Sequence, residues 1–151
     1  MSITVQIYTE GLAHNFGLPQ YESQGAAGLD IRANESLELR PGETKLIKTG
    51  LFVAIPVGYE LQVRPRSGLS LKSPFRVANA PGTVDSDYRG EICVIGHNTR
   101  GHEIFPIGIG DRIAQLVLQR VPQLVWEPVQ AKEELGSTQR GEGGFGSSGK
   151  Q

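Results

Sequence analysis

A single cysteine, Cys93, leaves nothing for an internal disulfide framework. It lies in the apolar run Ile92-Cys93-Val94-Ile95, where the expectation is a buried, inert thiol. No apolar run approaches the roughly 20 residues needed to cross a bilayer. The opening stretch MSITVQIY has neither a basic start nor the apolar segment of a signal peptide. A cytoplasmic protein without a membrane partner is the expectation. Charge of one sign is also missing: 15 Lys and Arg stand against 16 Asp and Glu, a net charge of −1. That balance argues against a nucleic-acid partner, which needs a basic surface, and leaves room only for a local cationic pocket. No G-x-x-x-x-G-K-[ST] loop and no G-x-S-x-G elbow occurs. His14, His97 and His102 have no ligand-like spacing for zinc.

What the chain does have is glycine and proline, 20 and 9 of 151 residues, which break helices and favour strands joined by turns. Short strand-like runs recur at Ser2 to Tyr8, Gly28 to Ala33, Ser36 to Leu39, Lys45 to Ile55, Tyr59 to Arg64, Glu91 to Gly96 and Ile104 to Ile109. Turn chemistry separates them, as in Arg40-Pro41-Gly42-Glu43, Pro56-Val57-Gly58 and Gly110-Asp111. Arg112 to Val121 fits helix or strand by period, and its flanks favour strand. Only Ser67 to Ser73 reads as a helical turn. One all-β domain of sandwich, jelly-roll or barrel type is expected over residues 1–131. From Lys132 the apolar pattern fades, and 132–151 reads as a mobile arm.

Several stretches carry chemistry, each beside a plainer alternative. Gly141 to Gly146 formally matches G-x-G-x-x-G, but no strand-helix-strand unit surrounds it, so it is not a dinucleotide fingerprint. Arg64-Pro65-Arg66-Ser67-Gly68-Leu69-Ser70 brings a strand end to a short helix start. It is either a phosphate cradle of amides, hydroxyl and guanidinium, or an N-cap serine beside solvated arginines. Gly82-Thr83-Val84-Asp85-Ser86-Asp87-Tyr88-Arg89-Gly90 is either an Asx-rich turn or a carboxylate held to orient water beside a flat aromatic wall. Gln115, among core positions, is either a structural amide or a ligand contact.

Together these stretches resemble the trimeric dUTPase family. Five motifs occur in the family's order. They are Ala27-Gly28-Leu29-Asp30-Ile31-Arg32-Ala33, Pro65-Arg66-Ser67-Gly68-Leu69, the 82–90 stretch, Gly110-Asp111-Arg112-Ile113-Ala114-Gln115-Leu116, and Arg140-Gly141-Glu142-Gly143-Gly144-Phe145-Gly146-Ser147-Ser148-Gly149. The resemblance spans nearly the whole chain. Two departures, Ser70 and a slightly longer Thr99-Arg100-Gly101-His102, touch no proposed catalytic position.

The resemblance implies a jelly-roll-like distorted β-barrel, a homotrimer with shared active sites, and a C-terminal arm serving as lid. It implies Mg²⁺-dependent hydrolysis of dUTP to dUMP and pyrophosphate, by water attack on the α-phosphorus. That reaction supplies dUMP for thymidylate synthesis and keeps uracil out of DNA. Asp85 is then the carboxylate that orients and deprotonates the water, and Tyr88 the platform under the deoxyribose. Asn79 and the main chain at Gly82 and Val84 meet the uracil. Arg66, Ser67, Gly68 and Gln115 contact phosphates, and Asp30 holds metal-bound water. In the arm, Phe145 and Gly146 cover the base while Arg140, Ser147 and Ser148 reach the γ-phosphate. The alternatives are a dCTP deaminase-like enzyme of the same superfamily and a catalytically idle nucleotide-binding jelly roll. Because Mg²⁺ prefers oxygen ligands and retains water, a triphosphate can hold it without a dedicated protein cage.

Overall fold

The computed structural model describes residues 2–144. Ten strands run in chain order: β1 Gln6–Thr9, β2 Leu29–Arg32, β3 Leu37–Leu39, β4 Thr44–Ala54, β5 Tyr59–Arg64, β6 Phe75–Val77, β7 Gly82–Val84, β8 Ile92–Asn98, β9 Phe105–Ile107 and β10 Arg112–Arg120. One short helix, α1 Ser67–Lys72, interrupts them, with 3-10 turns at Gly11–Phe16 and Lys132–Leu135. Two antiparallel four-stranded sheets, ordered β1-β4-β8-β6 and β2-β10-β5-β7, carry the fold, with β3 and β9 as a small third pair. This is the expected all-β, jelly-roll-like distorted barrel.

Alternation explains which side chains turn inward. Along β8, Ile92, Val94, Gly96 and Asn98 are buried while Cys93, Ile95 and His97 are half-exposed. β4 keeps its apolar face inward only by changing register between Lys48 and Leu51, where Gly50 takes φ 69°. A bulge there lets both Ile47 and Leu51 enter the core. Ile31, Ile47, Leu51, Leu61, Val63, Phe75, Ile92, Val94, Ile113 and Leu116 form one continuous core from both sheets. Asn98 is fully buried and polar. Its amide donates to the carbonyls of Leu39 at 3.0 Å and Glu103 at 2.8 Å, and its oxygen accepts from the Arg100 amide at 3.0 Å.

The expected strands are present with small boundary shifts; Ser2 to Tyr8, for example, is strand only over Gln6–Thr9. Arg112 to Arg120 is strand, buried at Ile113, Ala114, Leu116 and Val117. Two strands went unforeseen, β6 and β7. Each has three residues, too few for an alternation to be visible in sequence. Residues 122–131, which follow β10, are all exposed, with Leu124, Val125 and Trp126 largely open. Among the described residues, no helix is long and apolar enough to cross a membrane.

Candidate active site

The sheet β2-β10-β5-β7 aligns the first cluster. Gln115 of β10 stands opposite Asp30 of β2 on one side and Arg64 of β5 on the other. Arg66, two residues past the end of β5, swings back so that its Nε donates to Asp30 Oδ1 at 3.0 Å. Its Nη1 donates to the Arg112 carbonyl at 3.3 Å, and the Arg112 guanidinium reaches Asp30 Oδ2 at 3.5 Å. The N-cap of α1 is Arg66, without a side-chain cap bond, so neither an N-cap serine nor a solvated Arg66 describes this corner. Ser67 and Gly68 are exposed on the first turn of α1. Amides at such a turn point along the axis without intrahelical partners, a natural seat for anions.

Gln115 is half-buried, and its amide donates to the Pro65 carbonyl at 2.9 Å. A β-carbon on Gly28 would stand 2.1 Å from Gln115 Oε1, so only glycine lets this side chain fold back there. Gln115 is thus held by structure, at the edge of the cationic cluster. On the Asp30 side, a cavity of about 240 Å³ is lined in part by Asp30, Arg32, Thr49, Glu22 and Arg112.

The second cluster is the hairpin. β7 pairs with β5, Gly82 opposite Val63 and Val84 opposite Leu61, and both Gly82 and Val84 are buried. Immediately afterwards a tight turn follows, closed by the Tyr88 amide donating to the Asp85 carbonyl at 3.2 Å. The Asp85 side chain is exposed, and Tyr88 is 45% exposed. A cavity of about 230 Å³ opens beside them, lined by Asn79, Gly82, Val84, Tyr88, Cys93 and Ile95 among others. Asn79 packs over Gly82, where a β-carbon would come within 3.1 Å of the Asn79 amide nitrogen. Cys93 is half-exposed, not buried as expected, because alternation along β8 turns it away from the core; partial burial, and secondarily the Glu91 carboxylate, still push its thiol up to about 11, which keeps it neutral.

The two clusters do not converge within one chain. Asp30 sits on the β2 edge of the sheet and Gly82 and Val84 on the β7 edge. Three inter-strand spacings place them about 14 Å apart. Among the described residues, no three His, Cys, Asp or Glu side chains come together to hold a metal. Arg140 is exposed, its Nε bonded to the Gly143 carbonyl at 2.7 Å. The expected contacts Phe145, Gly146, Ser147 and Ser148 lie outside the described residues. Two participants escaped the sequence reading: Arg112, which braces Asp30, and Glu91, which holds Tyr88. Both adjoin the motifs, but only the folded register reveals their partners.

The dUTPase family model matches residues 14–149. The chain belongs to the dUTPase family. It is 53% identical over 135 residues to a deoxyuridine 5'-triphosphate nucleotidohydrolase of Fusobacterium nucleatum, covering 88% of this chain and 90% of that one. It is 49% identical over 151 residues to the enzyme of that name from Anaeromyxobacter, covering 99% and 100%. Among solved structures, a dUTPase of Staphylococcus bacteriophage 80alpha with dUpNHpp superimposes with a TM-score of 0.85 at 29% identity, covering 98% of this chain and 99% of that one. A dUTPase from phage phi11 of S. aureus, in which a structural Mg(II) ion is coordinated, gives 0.76 at 26% identity over 87% and 99%. The matched span includes Asp30, Arg66, Asn79, Asp85, Tyr88, Gln115 and Arg140, so both clusters are family territory.

Proposed function

We propose that the protein is a dUTP diphosphatase, hydrolysing dUTP to dUMP and pyrophosphate by water attack on the α-phosphorus. The carrying observation is the hairpin: an exposed Asp85 carboxylate three residues before a tyrosine that lines a cavity of about 230 Å³. The relatives named as deoxyuridine 5'-triphosphate nucleotidohydrolases support the same reading, and leave the deaminase-like and idle-binder alternatives unfavoured.

In this mechanism uracil enters the hairpin cavity against Asn79 and the main chain of Gly82 and Val84. Buried backbone donors and acceptors there penalise a base whose edge leaves them unpaired. The Tyr88 ring lies under the deoxyribose and leaves no room for a 2′-hydroxyl. Asp85 accepts a proton from water aligned with the leaving pyrophosphate. Proton transfer of this kind contributes about 10² to 10⁴ in rate, so cation stabilisation of the phosphates supplies the larger share. Arg66 gives that charge, its orientation set by Asp30. The first-turn amides at Ser67 and Gly68, with Gln115, extend the phosphate seat. Arg140, Phe145, Gly146, Ser147 and Ser148, on the 132–151 arm, close over base and γ-phosphate.

The donor set fits Mg²⁺ carried mainly by the substrate. Asp30 pairs with Arg66 and Arg112, Glu22 reaches the same Arg112 at 3.7 Å, and among the described residues no group of three acidic, His or Cys side chains gathers to cage a metal. Bound Mg²⁺ would neutralise charge on the phosphate oxygens, and Asp30 would be the residue that holds it through water.

A homotrimer belongs to the same proposal. The separation of the two clusters within one chain supports sites completed by a neighbouring copy, as do the open Leu124, Val125 and Trp126. A cytoplasmic location goes with a soluble nucleotide substrate. The test is phosphorus NMR of deoxynucleoside triphosphates with enzyme and Mg²⁺. The expectation is dUMP and pyrophosphate from dUTP alone, lost in Asp85→Asn while trimers persist. Full turnover in that variant would refute the role of Asp85.

A further inference from the structure

The aromatic wall at Tyr88 depends on how its ring is held. Gly90 lies against its phenol end. A β-carbon on Gly90 would fall 2.3 Å from the phenol oxygen, 2.5 Å from Cζ and 2.9 Å from Cε2 of Tyr88. Contacts that short do not occur between real atoms, so any side chain at 90 displaces the ring. The backbone does not explain this glycine, because Gly90 is absent from the positions with positive φ. Space for the ring is what glycine provides there. The phenol end of the ring thus packs against bare backbone, and Tyr88 also lines the cavity.

The phenol end is anchored as well. Tyr88 Oη donates to the Glu91 carbonyl at 3.0 Å. The Glu91 side chain accepts from the Gly50 amide at 2.8 Å, at the bulge of β4. Gly50 cannot be replaced freely: its φ is 69°, and a β-carbon would lie 2.6 Å from the Glu10 carbonyl oxygen. The Gly50 carbonyl in turn accepts from the Glu10 amide at 2.8 Å. A chain of contacts therefore runs from the rigid bulge through Glu91 to the phenol, while Gly90 fixes the height of the ring.

We propose that Gly90 and Glu91 are positioning residues that set the plane of Tyr88 and thereby the enzyme's discrimination between deoxyribose and ribose. The proposal rests on the reading of Tyr88 as the sugar platform. A 2′-hydroxyl is excluded only if the ring stands close and flat; a ring lifted by a methyl group at 90, or swinging without its anchor, changes that clearance. The dUTP contacts made by Arg66 and Asp85 need not move with it.

The measurement is the ratio of kcat/KM for dUTP over UTP in the full-length protein, with Tm recorded for each variant. Gly90→Ala is expected to lower the ratio at least tenfold with Tm within a few degrees of wild type. Glu91→Ala is expected to lower it similarly, and Glu91→Gln, which keeps the acceptor for the Gly50 amide, to restore it. Tyr88→Ala is the control for the underlying reading. If Tyr88→Ala lowers the ratio but folded Gly90→Ala and Glu91→Ala leave it within twofold, the positioning proposal fails and the platform stands. If Tyr88→Ala itself leaves the ratio unchanged, the platform reading fails and the proposal with it. Should Gly90→Ala not fold, the contrast between Glu91→Ala and Glu91→Gln decides alone: equal ratios overturn the proposal, and loss with rescue supports it.

Discussion

Replacing Asp30 by Asn should weaken catalysis by an amount the structure lets one work out. The carboxylate holds Arg66 Nε at 3.0 Å and faces Arg112 Nη1 at 3.5 Å. The Arg66 and Asp30 side chains are 29% and 19% exposed, so water screens the pair only in part. A hydrogen bond to a charged group contributes about 1.5–3 kcal/mol and a neutral one about 0.5–1.5. Asparagine retains one neutral acceptor at nearly the same place, so the loss is about 1–1.5 kcal/mol at Arg66; the longer Arg112 contact adds little. If Arg66 must be aimed for the transition state, that loss reads out as a fall of about 5- to 15-fold in kcat/KM. A rise in the Mg²⁺ concentration giving half-maximal rate would report the additional share from metal-bound water. Steady-state pyrophosphate release from dUTP, with thermal denaturation alongside, measures all of this. A kcat/KM within twofold of wild type, in a protein of unchanged Tm, would refute Asp30 as the residue that orients Arg66. An Arg66→Ala, Asp30→Asn double-mutant cycle showing no coupling would refute it independently.

Truncation before Arg140 should leave the barrel folded and reduce turnover at least a hundredfold; unchanged kinetics would remove the arm from the mechanism. Asn98→Ala should cost about 2–4 kcal/mol, because it strands the buried Leu39 carbonyl and loosens the loop carrying Arg100 and Glu103. For a chain of this size that is a Tm lowered by about 5–15 °C in a melting curve. Cys93 should alkylate slowly at pH 8. A thiol whose pKa is raised to about 11 carries about a hundredfold less thiolate there than one titrating near 9. Its iodoacetamide rate should therefore climb only as pH nears 11, and rapid labelling at pH 8 would contradict that shift.

Much of the architecture was legible because glycine, proline and short alternating runs act locally. The turn at Arg40-Pro41-Gly42-Glu43 and the stop at Pro65 need no distant partner to take effect. Strands β6 and β7 were not legible, since three residues cannot display a period and only pairing with β8 and β5 makes them strands. The order of the motifs holding Asp30, Arg66, Asp85, Tyr88 and Gln115 identified the family, because a motif is read by residue type alone.

Residue type does not say who restrains whom. The Asp30 contact with Arg66 spans 36 positions, and Arg112 joins it from 82 positions away. The Gly50 amide meets Glu91 across 41 positions. Such contacts arise from sheet register and a bulge, which long-range packing sets. By itself the sequence determined the strand-rich class and its turns, properties of local conformational preference, and named the side chains proposed for the chemistry. Only the tertiary structure decided that Arg66 is paired with Asp30 rather than solvated, that Asp30 and the Gly82–Val84 strand stand on opposite edges of one sheet, and that Gly90 is a glycine to make room for a ring.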